Sequence, residues 1–413
     1  MNRIVKQSHR LLAGFLLLSG CLNHLEGQGT RQTSRPLTII AIGDTGENTK
    51  DLRSNASYIS DMYTGAHGGG AFDALVFLGD NFYPTGLNVP ADEVDGKMNS
   101  VLGKFKVPFT GLGRSNVHAI AGNHDYYARL GLQKSLLFGL INIEEGPVGF
   151  SDKGNKRAAA NLSWTYHHGM PGNAFYPLKP NATDSVQLIF FDSAVLLRTD
   201  TLSWRPALDS LQTLLGLTKN RPGISWRILC AHHPFYSVGE HGGYSEWNDE
   251  NHVVEYLTSC DKDSNAIGWL TNLFDPEDLC ATKYRQYIDS VNAVIGRSEV
   301  KVQLMLSGHE HSLQLLYYPD RERSCDECPK VQIISGAGAK PERVRASSPS
   351  YEFTSAQASP RMKGASVPGF VQLQFDREKL RAIFFNGDEK ERVDMGNGRT
   401  EFWIDRNGAL VKE

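Results

Sequence analysis

The chain has no apolar run approaching the roughly 18 residues that span a bilayer. It has no strong charge of either sign. Forty-three Lys and Arg face 46 Asp and Glu, for a net charge of −3 and a pI of about 6.5. That balance provides no basic footprint for nucleic acid as a dedicated partner. No repeat period accounts for the 40 glycines, which read as the tight turns of a loop-rich enzyme. A composition 40% hydrophobic and 22% charged excludes wholesale disorder and suits a soluble globular protein with a sizeable core. Its 413 residues allow one large domain or two ordinary ones.

The N-terminus reads as a targeting segment. Arg3, Lys6 and Arg10 form a basic region, and Leu11 to Leu18 form a short apolar one, the pattern of a secretory signal. Leu18-Ser19-Gly20-Cys21 resembles the lipobox of bacterial lipoproteins, in which the cysteine is lipidated and becomes the new N-terminus. The expected organisation is a signal peptide over 1–20, a polar tether over 21–36 and a single catalytic domain over 37–413. The mature chain is expected outside the cytoplasm, periplasmic or facing the extracellular side, and held at a membrane by a lipid on Cys21. Cysteine use agrees with export. Cys260 and Cys280 bracket a polar insertion, Cys325 and Cys328 form a CxxC, and both pairs suit disulfides in an oxidising compartment. Cross-pairing and a four-cysteine zinc site are the alternatives. Cys230, in an apolar strand, reads as a buried free thiol.

Seven apolar runs read as buried strands: 37–42, 74–78, 117–121, 186–191, 226–231, 302–306 and 331–334. Leu52, Ala56, Ile59 and Tyr63 follow helical spacing, as do Leu208, Leu211, Leu214 and Leu215. Alternation of strand and helix predicts an α/β sandwich. Residues 370–375 and 380–385 flank Asp376-Arg377-Glu378 as an antiparallel hairpin, and 401–404 reads as one more strand. The Ser-, Ala- and Pro-rich stretch Glu342 to Pro368 reads as an exposed loop.

Five of the strands end in polar chemistry. They run into Gly43-Asp44, Gly79-Asp80-Asn81-Phe82-Tyr83, Gly122-Asn123-His124-Asp125, His232-His233-Pro234 and Gly308-His309-Glu310-His311. In α/β sheets ligands bind at the carboxyl ends of strands, so these groups are expected in one crevice. A Gly-Asp at a strand end is ordinarily a turn, and Gly-His-x-His ordinarily a loop. Five such ends, each after an apolar strand, point to a common site. Carboxylate, imidazole, amide oxygen and phenolate together suit iron, zinc or manganese rather than calcium. The donors outnumber the needs of one tetrahedral ion, and a carboxylate can bridge two ions about 3.5–4 Å apart.

The series GD…GDxxY…GNHD…H…GHxH resembles the signature of calcineurin-like metallophosphoesterases in the form carried by purple acid phosphatases. His232 to Gly242, HHPFYSVGEHG, resembles the HYPxxSxxEHG stretch of their tartrate-resistant type, and Ser335-Gly336-Ala337-Gly338 resembles that type too. The resemblance covers roughly Leu37 to Phe385 and lies in its motifs. It implies an α/β/β/α sandwich of two mixed β-sheets flanked by helices. It also implies a ferric ion held by Asp44, Asp80, Tyr83 and His311, with Asp80 bridging to a divalent ion, Fe2+, Zn2+ or Mn2+. Asn123, His232 and His309 would complete the second site, while His124 and His241 would face the substrate phosphate as catalytic groups. The sequence departs from the family pattern at Thr45, at His233 and in the long interval from His232 to His309. These departures place the pocket rim, and so the substrate, in question.

The implied activity is acid phosphatase action on a small phosphate monoester. Two cations neutralise the dianion and a metal-activated hydroxide attacks phosphorus directly. Protonated histidines steady the oxygens or protonate the leaving alkoxide. The rival readings are a phosphodiesterase or nucleotidase on the same scaffold and a non-catalytic binding module. Asp125 reads as a partner orienting His124 or as a turn cap. His167 and His168 read as surface residues. Asn55, Asn161 and Asn181 head N-x-S/T triplets, which matter only in a eukaryotic secreted protein.

Overall fold

The computed structural model describes residues 35–66, 71–87, 89–90, 92–126, 163–164, 171–179, 183–239, 241, 247–248, 253–254, 277, 279, 281–317, 325–344, 361–396 and 398–411. Cys21 and its flanks, Cys260, Cys280, His167, His168, Asn161 and Asn181 lie outside them. Residues Pro36–Glu413 form one compact unit. No helix of the described residues is long and apolar enough to cross a membrane.

The described strands are β1 (Leu37–Ile42), β2 (Ala74–Phe77), β3 (Val117–Ala119), β4 (Ser163–Trp164), β5 (Gly172–Pro177), β6 (Ser185–Phe191), β7 (Ile224–Ala231), β8 (Trp247–Asn248) and β9 (Val253–Val254). After them come β10 (Leu304–Ser307), β11 (Leu313–Tyr317), β12 (Val331–Ser335), β13 (Arg361–Ala365), β14 (Gly369–Phe375), β15 (Lys379–Asn386), β16 (Glu391–Arg392), β17 (Glu401–Asp405) and β18 (Leu410–Val411). The helices used below are α1 (Lys50–Thr64), α2 (Val94–Val101), α3 (Lys106–Leu112), α4 (Asn123–Tyr126), α5 (Ser193–Arg198), α6 (Arg205–Lys219) and α7 (Thr282–Ser298).

Two mixed sheets carry the fold. Among the described residues one has nine strands, in the order β18-β17-β15-β14-β1-β2-β3-β4 with β16 beside β15, and the other has seven, β13-β11-β12-β10-β7-β6-β5. In each sheet the central strands are parallel: β1, β2 and β3 in the first, and β6, β7, β10 and β12 in the second. β1 is buried along its whole length, because side chains alternate between two faces and both faces are covered. Ile39 and Ala41 point into the core between the sheets, together with Leu188, Phe190, Ile228, Leu304 and Ile333. Ile40 and Ile42 point the other way, against Leu52, Ala56 and Ile59 of α1. On the outside of the second sheet, α6 and α7 bury Leu211, Leu215, Tyr284, Tyr287, Val291 and Ile295 against Ile189, Leu229 and Met305. The result is the helix–sheet–sheet–helix sandwich expected from the resemblance.

All seven apolar runs are strands, and 370–375 with 380–385 form the hairpin of β14 and β15. Helix α1 begins where the Thr49 hydroxyl accepts from the Leu52 N–H at 3.1 Å and ends at Gly65, φ 78°. The expectation for Glu342 to Pro368 needs correction. It is not loop throughout, because β13 pairs antiparallel with β11. This strand sits at the sheet edge with one neighbour, where little apolar patterning is required. Cys325 and Cys328 are joined by a disulfide, and Cys230 is a buried free thiol whose burial pushes its pKa up.

Candidate metal centre

The site stands at the carboxyl ends of β1, β2, β3, β7 and β10, where both sheets present parallel strands to one side. Asp44, Asp80 and His309 each follow a glycine and each adopt a left-handed backbone, with φ of 56°, 50° and 70°. Such conformations cost on the order of 1–3 kcal/mol apiece and turn the chain sharply as the strand ends. The glycines beside them are required by close approach. A Cβ on Gly122 would lie 2.1 Å from Asp80 Oδ1, and one on Gly336 would lie 2.7 Å from Asp44 Oδ2. The Ser335-Gly336 segment therefore forms a wall behind Asp44. There the Gly43 N–H donates to the Ser335 carbonyl at 2.6 Å.

Two groups of donors converge. In the first, Tyr83 Oη lies 3.0 Å from Asp44 Oδ1, 3.1 Å from Asp80 Oδ2 and 2.8 Å from His311 Nε2. In the second, His232 Nε2 lies 2.9 Å from Asn123 Oδ1 and 3.5 Å from Asp80 Oδ1. Asp80 faces both groups, one oxygen to each. Each carboxylate is also fixed from behind: the His309 N–H donates to Asp44 Oδ2 and the His124 N–H to Asp80 Oδ1, both at 2.9 Å.

His232 is oriented as a metal-binding imidazole is, by an acceptor on the far nitrogen. His232 Nδ1 donates to the Leu78 carbonyl at 2.8 Å, which leaves Nε2 for the site. His311 Nδ1 lies 2.9 Å from Glu342 Oε1. His309 is 4% exposed, and its Nε2 is a buried polar atom without a hydrogen-bond partner. Burial alone would lower the His232 and His311 imidazoles. The Asp80 carboxylate instead raises His232 to about 9, and Asp44 and Glu342 raise His311 to about 11. Burial alone would raise Asp80, yet His232 and His124 pull it well below the carboxylate range. Carboxylates thus favour positive charge at these rings, and a bound cation would supply that charge in place of the ring protons. The oxygen and nitrogen donors, their convergence and the orphaned His309 nitrogen all fit a pair of metal ions.

His124 and His241 stand at the edge of these groups. His124 Nδ1 donates to the Pro84 carbonyl at 2.7 Å, so Nε2 faces Asp80 Oδ2, 4.0 Å away. The His241 ring stacks on His309 with centroids 4.5 Å apart. The backbone N–H of His241 donates to Glu310 Oε2 at 3.3 Å.

Several sequence expectations change. His233 is not a rim residue. It is fully buried, its Nδ1 lies 2.9 Å from Ser193 Oγ, and its ring lies 4.4 Å from that of His309, centroid to centroid. Donor atoms of His232, His233 and His309 all lie within 4.8 Å of one another, as do those of Asp44, Asp80 and His232. Thr45 is buried as well. Asp125 caps a turn rather than orienting His124: it accepts from the Gly122 N–H and from the backbone and side-chain nitrogens of Asn81. Asn55 is buried and donates to the Ala337 and Gly338 carbonyls, which leaves no room for a glycan. Sequence reasoning missed Glu342, Glu310 and Glu277. Glu310 lies inside the Gly308-His309-Glu310-His311 motif without being assigned a role, Glu342 carries no signal beyond following Ser335-Gly336-Ala337-Gly338, and Glu277 lies inside the insertion.

The two-sheet sandwich with these donors at its strand ends defines a metallophosphoesterase, a fold that binds a dinuclear metal centre. The chain belongs to the calcineurin-like phosphoesterase family, which matches residues 37–313. No curated protein matches the chain. Among solved structures it is similar to GAP50, described as the anchor in the inner membrane complex of Plasmodium. That likeness has 15% identity, covers 86% of each chain and has a TM-score of 0.50. It is also similar to the purple acid phosphatase PPD1 from seeds of yellow lupin (Lupinus luteus), at 14% identity, 91% of this chain, 54% of that one and a TM-score of 0.49. A third likeness is to PhoD, at 11% identity, 91% and 71% coverage and a TM-score of 0.46. At these identities the likeness is one of fold.

Proposed function

We propose that the protein is an acid phosphatase of the purple type, hydrolysing phosphate monoesters at a ferric ion paired with Fe2+, Zn2+ or Mn2+. The observation that carries this reading is the placement of the Tyr83 hydroxyl among Asp44, Asp80 and His311. Asp44, Asp80, Tyr83 and His311 hold the ferric ion in this reading, and Asn123, His232 and His309 hold the divalent one. Asp80 would serve both, a role supported by its two oxygens facing the two groups. Once bound, the ions would neutralise the phosphate and supply an activated water as nucleophile.

The remaining steps fall to side chains that carry no metal. His124, its Nδ1 spent on Pro84, offers Nε2 to a phosphate oxygen. His241, stacked on His309 at the mouth, offers a proton to the leaving alkoxide. Fold likeness to an anchor protein does not separate catalysis from scaffolding. A full set of donors together with both histidines supports catalysis. The reading extends to a lipid on Cys21 that holds the enzyme at a membrane surface outside the cytoplasm.

Rates on nitrophenyl phosphate and bis-nitrophenyl phosphate test the reaction class. A monoesterase favours the first; preference for the second makes the protein a phosphodiesterase, and turnover of neither makes it a scaffold.

A further inference from the structure

The two ends of an asparagine amide match in shape and oppose each other in chemistry. Oδ1 can ligate a cation, whereas Nδ2 donates hydrogen bonds and cannot. The surroundings of Asn123 decide which end faces the site. Its Nδ2 donates to Glu277 Oε2 at 3.0 Å, and its Oδ1 lies 2.9 Å from His232 Nε2. Glu277 is 6% exposed and is ion-paired through its other oxygen to Arg198, itself 5% exposed at the end of α5. A carboxylate paired in this way offers acceptors only, so the amide cannot turn its oxygen toward Glu277 without two acceptors colliding in a buried space.

We infer that Glu277 is a positioning residue for the second metal site, which holds the Asn123 oxygen toward the ion and which Arg198 holds in turn. Glu277 belongs to the insertion between His232 and His309. Glu277 thus ties that interval to the metal centre. Two residues further on, the Leu279 N–H donates to the His241 carbonyl at 3.1 Å. One short stretch therefore backs both a metal-site amide and the loop that carries His241. This inference rests on the reading of Asn123 as a ligand.

The test is Zn2+ binding by the metal-stripped full-length protein, measured by chelator competition, in wild type and in Glu277→Gln. The substitution keeps the volume. It leaves one oxygen, which Arg198 takes, so that an NH2 faces Asn123 and turns the amide oxygen away from the ion. The expected result is about a 10–100-fold loss of affinity at one of two sites, the size typical of outer partners of metal ligands. In an Asn123→Asp background both ends of residue 123 are oxygens. There Glu277→Gln removes a clash of carboxylates, so Zn2+ binding is expected to tighten. A purely structural role would weaken binding in both backgrounds. Unchanged Zn2+ constants in Glu277→Gln, or equal losses in both backgrounds, overturn the inference while the two-metal reading stands. A wild-type protein that takes up no second Zn2+ overturns both.

Discussion

The hydroxyl of Tyr83 lies 2.8 Å from His311 Nε2, although 228 residues separate the two in the chain. The contact joins the end of β2 in one sheet to the end of β10 in the other, so the first group of donors exists only when the two sheets are packed. A phenol, with a pKa near 10, is a poor ligand for zinc and a good one for a hard, strongly polarising ferric ion. Phenolate bound to ferric iron absorbs visible light. The iron-loaded protein is expected to be purple to pink, and Tyr83→Phe to bleach it while keeping some hydrolysis. An unchanged visible band in the variant would remove Tyr83 from the metal.

Asp80 offers one oxygen to each donor group, so its loss should be felt by both ions. Asp80→Ala is expected to lower bound metal from about two per chain to below one and to abolish turnover. Metal analysis of the purified variant decides the point, since full occupancy would exclude a bridging role.

His241 should separate binding from proton transfer. General acids typically contribute 10²–10⁴-fold, and only where the leaving group needs a proton. His241→Ala is expected to keep both metals and lose about 100-fold or more on alkyl phosphates, with a loss under about 10-fold on nitrophenyl phosphate. Steady-state rates on the two ester types are the measurement; equal losses would leave His241 a binding role alone.

His118 sets an acid limit on stability. It is 2% exposed in β3, its Nε2 pairs with Tyr176 Oη, and burial lowers its pKa from 6.5 to about 4. The unfolded chain therefore binds a proton that the native protein refuses. Stability is full above pH 6.5 and falls as the pH drops toward 4, by about 2 kcal/mol at pH 5 from this group. Urea unfolding at pH 7 and pH 5 should show that drop in wild type and a smaller one in His118→Gln. Parallel losses in the two proteins would contradict the account.

Membrane attachment is tested at Cys21. Cys21→Ser is expected to release the mature protein from the membrane fraction or block its processing. A wild-type protein found only in the soluble fraction, beginning at Leu22 or later, would end the lipoprotein reading.

The parallel strands were readable because they are buried on both faces and so are mostly apolar, as β1 and β7 are, with Thr38, Ser225 and Arg227 the polar exceptions. The donors were readable because each sits directly after such a strand. What escaped was contact made by closure of the fold. His233 reads as a residue of the pocket rim beside His232, yet it follows β7 into the interior, against the ring of His309. Glu342 reads as part of an exposed loop, but the turn after β12 swings it onto His311. Edge strands escaped as well. β5 and β13 sit at the margins of the second sheet, where one neighbour suffices and alternation is weak.

The central claim is that two metal ions at this site hydrolyse a phosphate monoester. Its most direct test is the rate of nitrophenyl phosphate hydrolysis by metal-stripped protein as iron and then a divalent ion are added in known equivalents. The account predicts activity that rises to a plateau at two ions per chain. A protein that stays inactive at every loading, or that reaches its plateau at one ion, would contradict it.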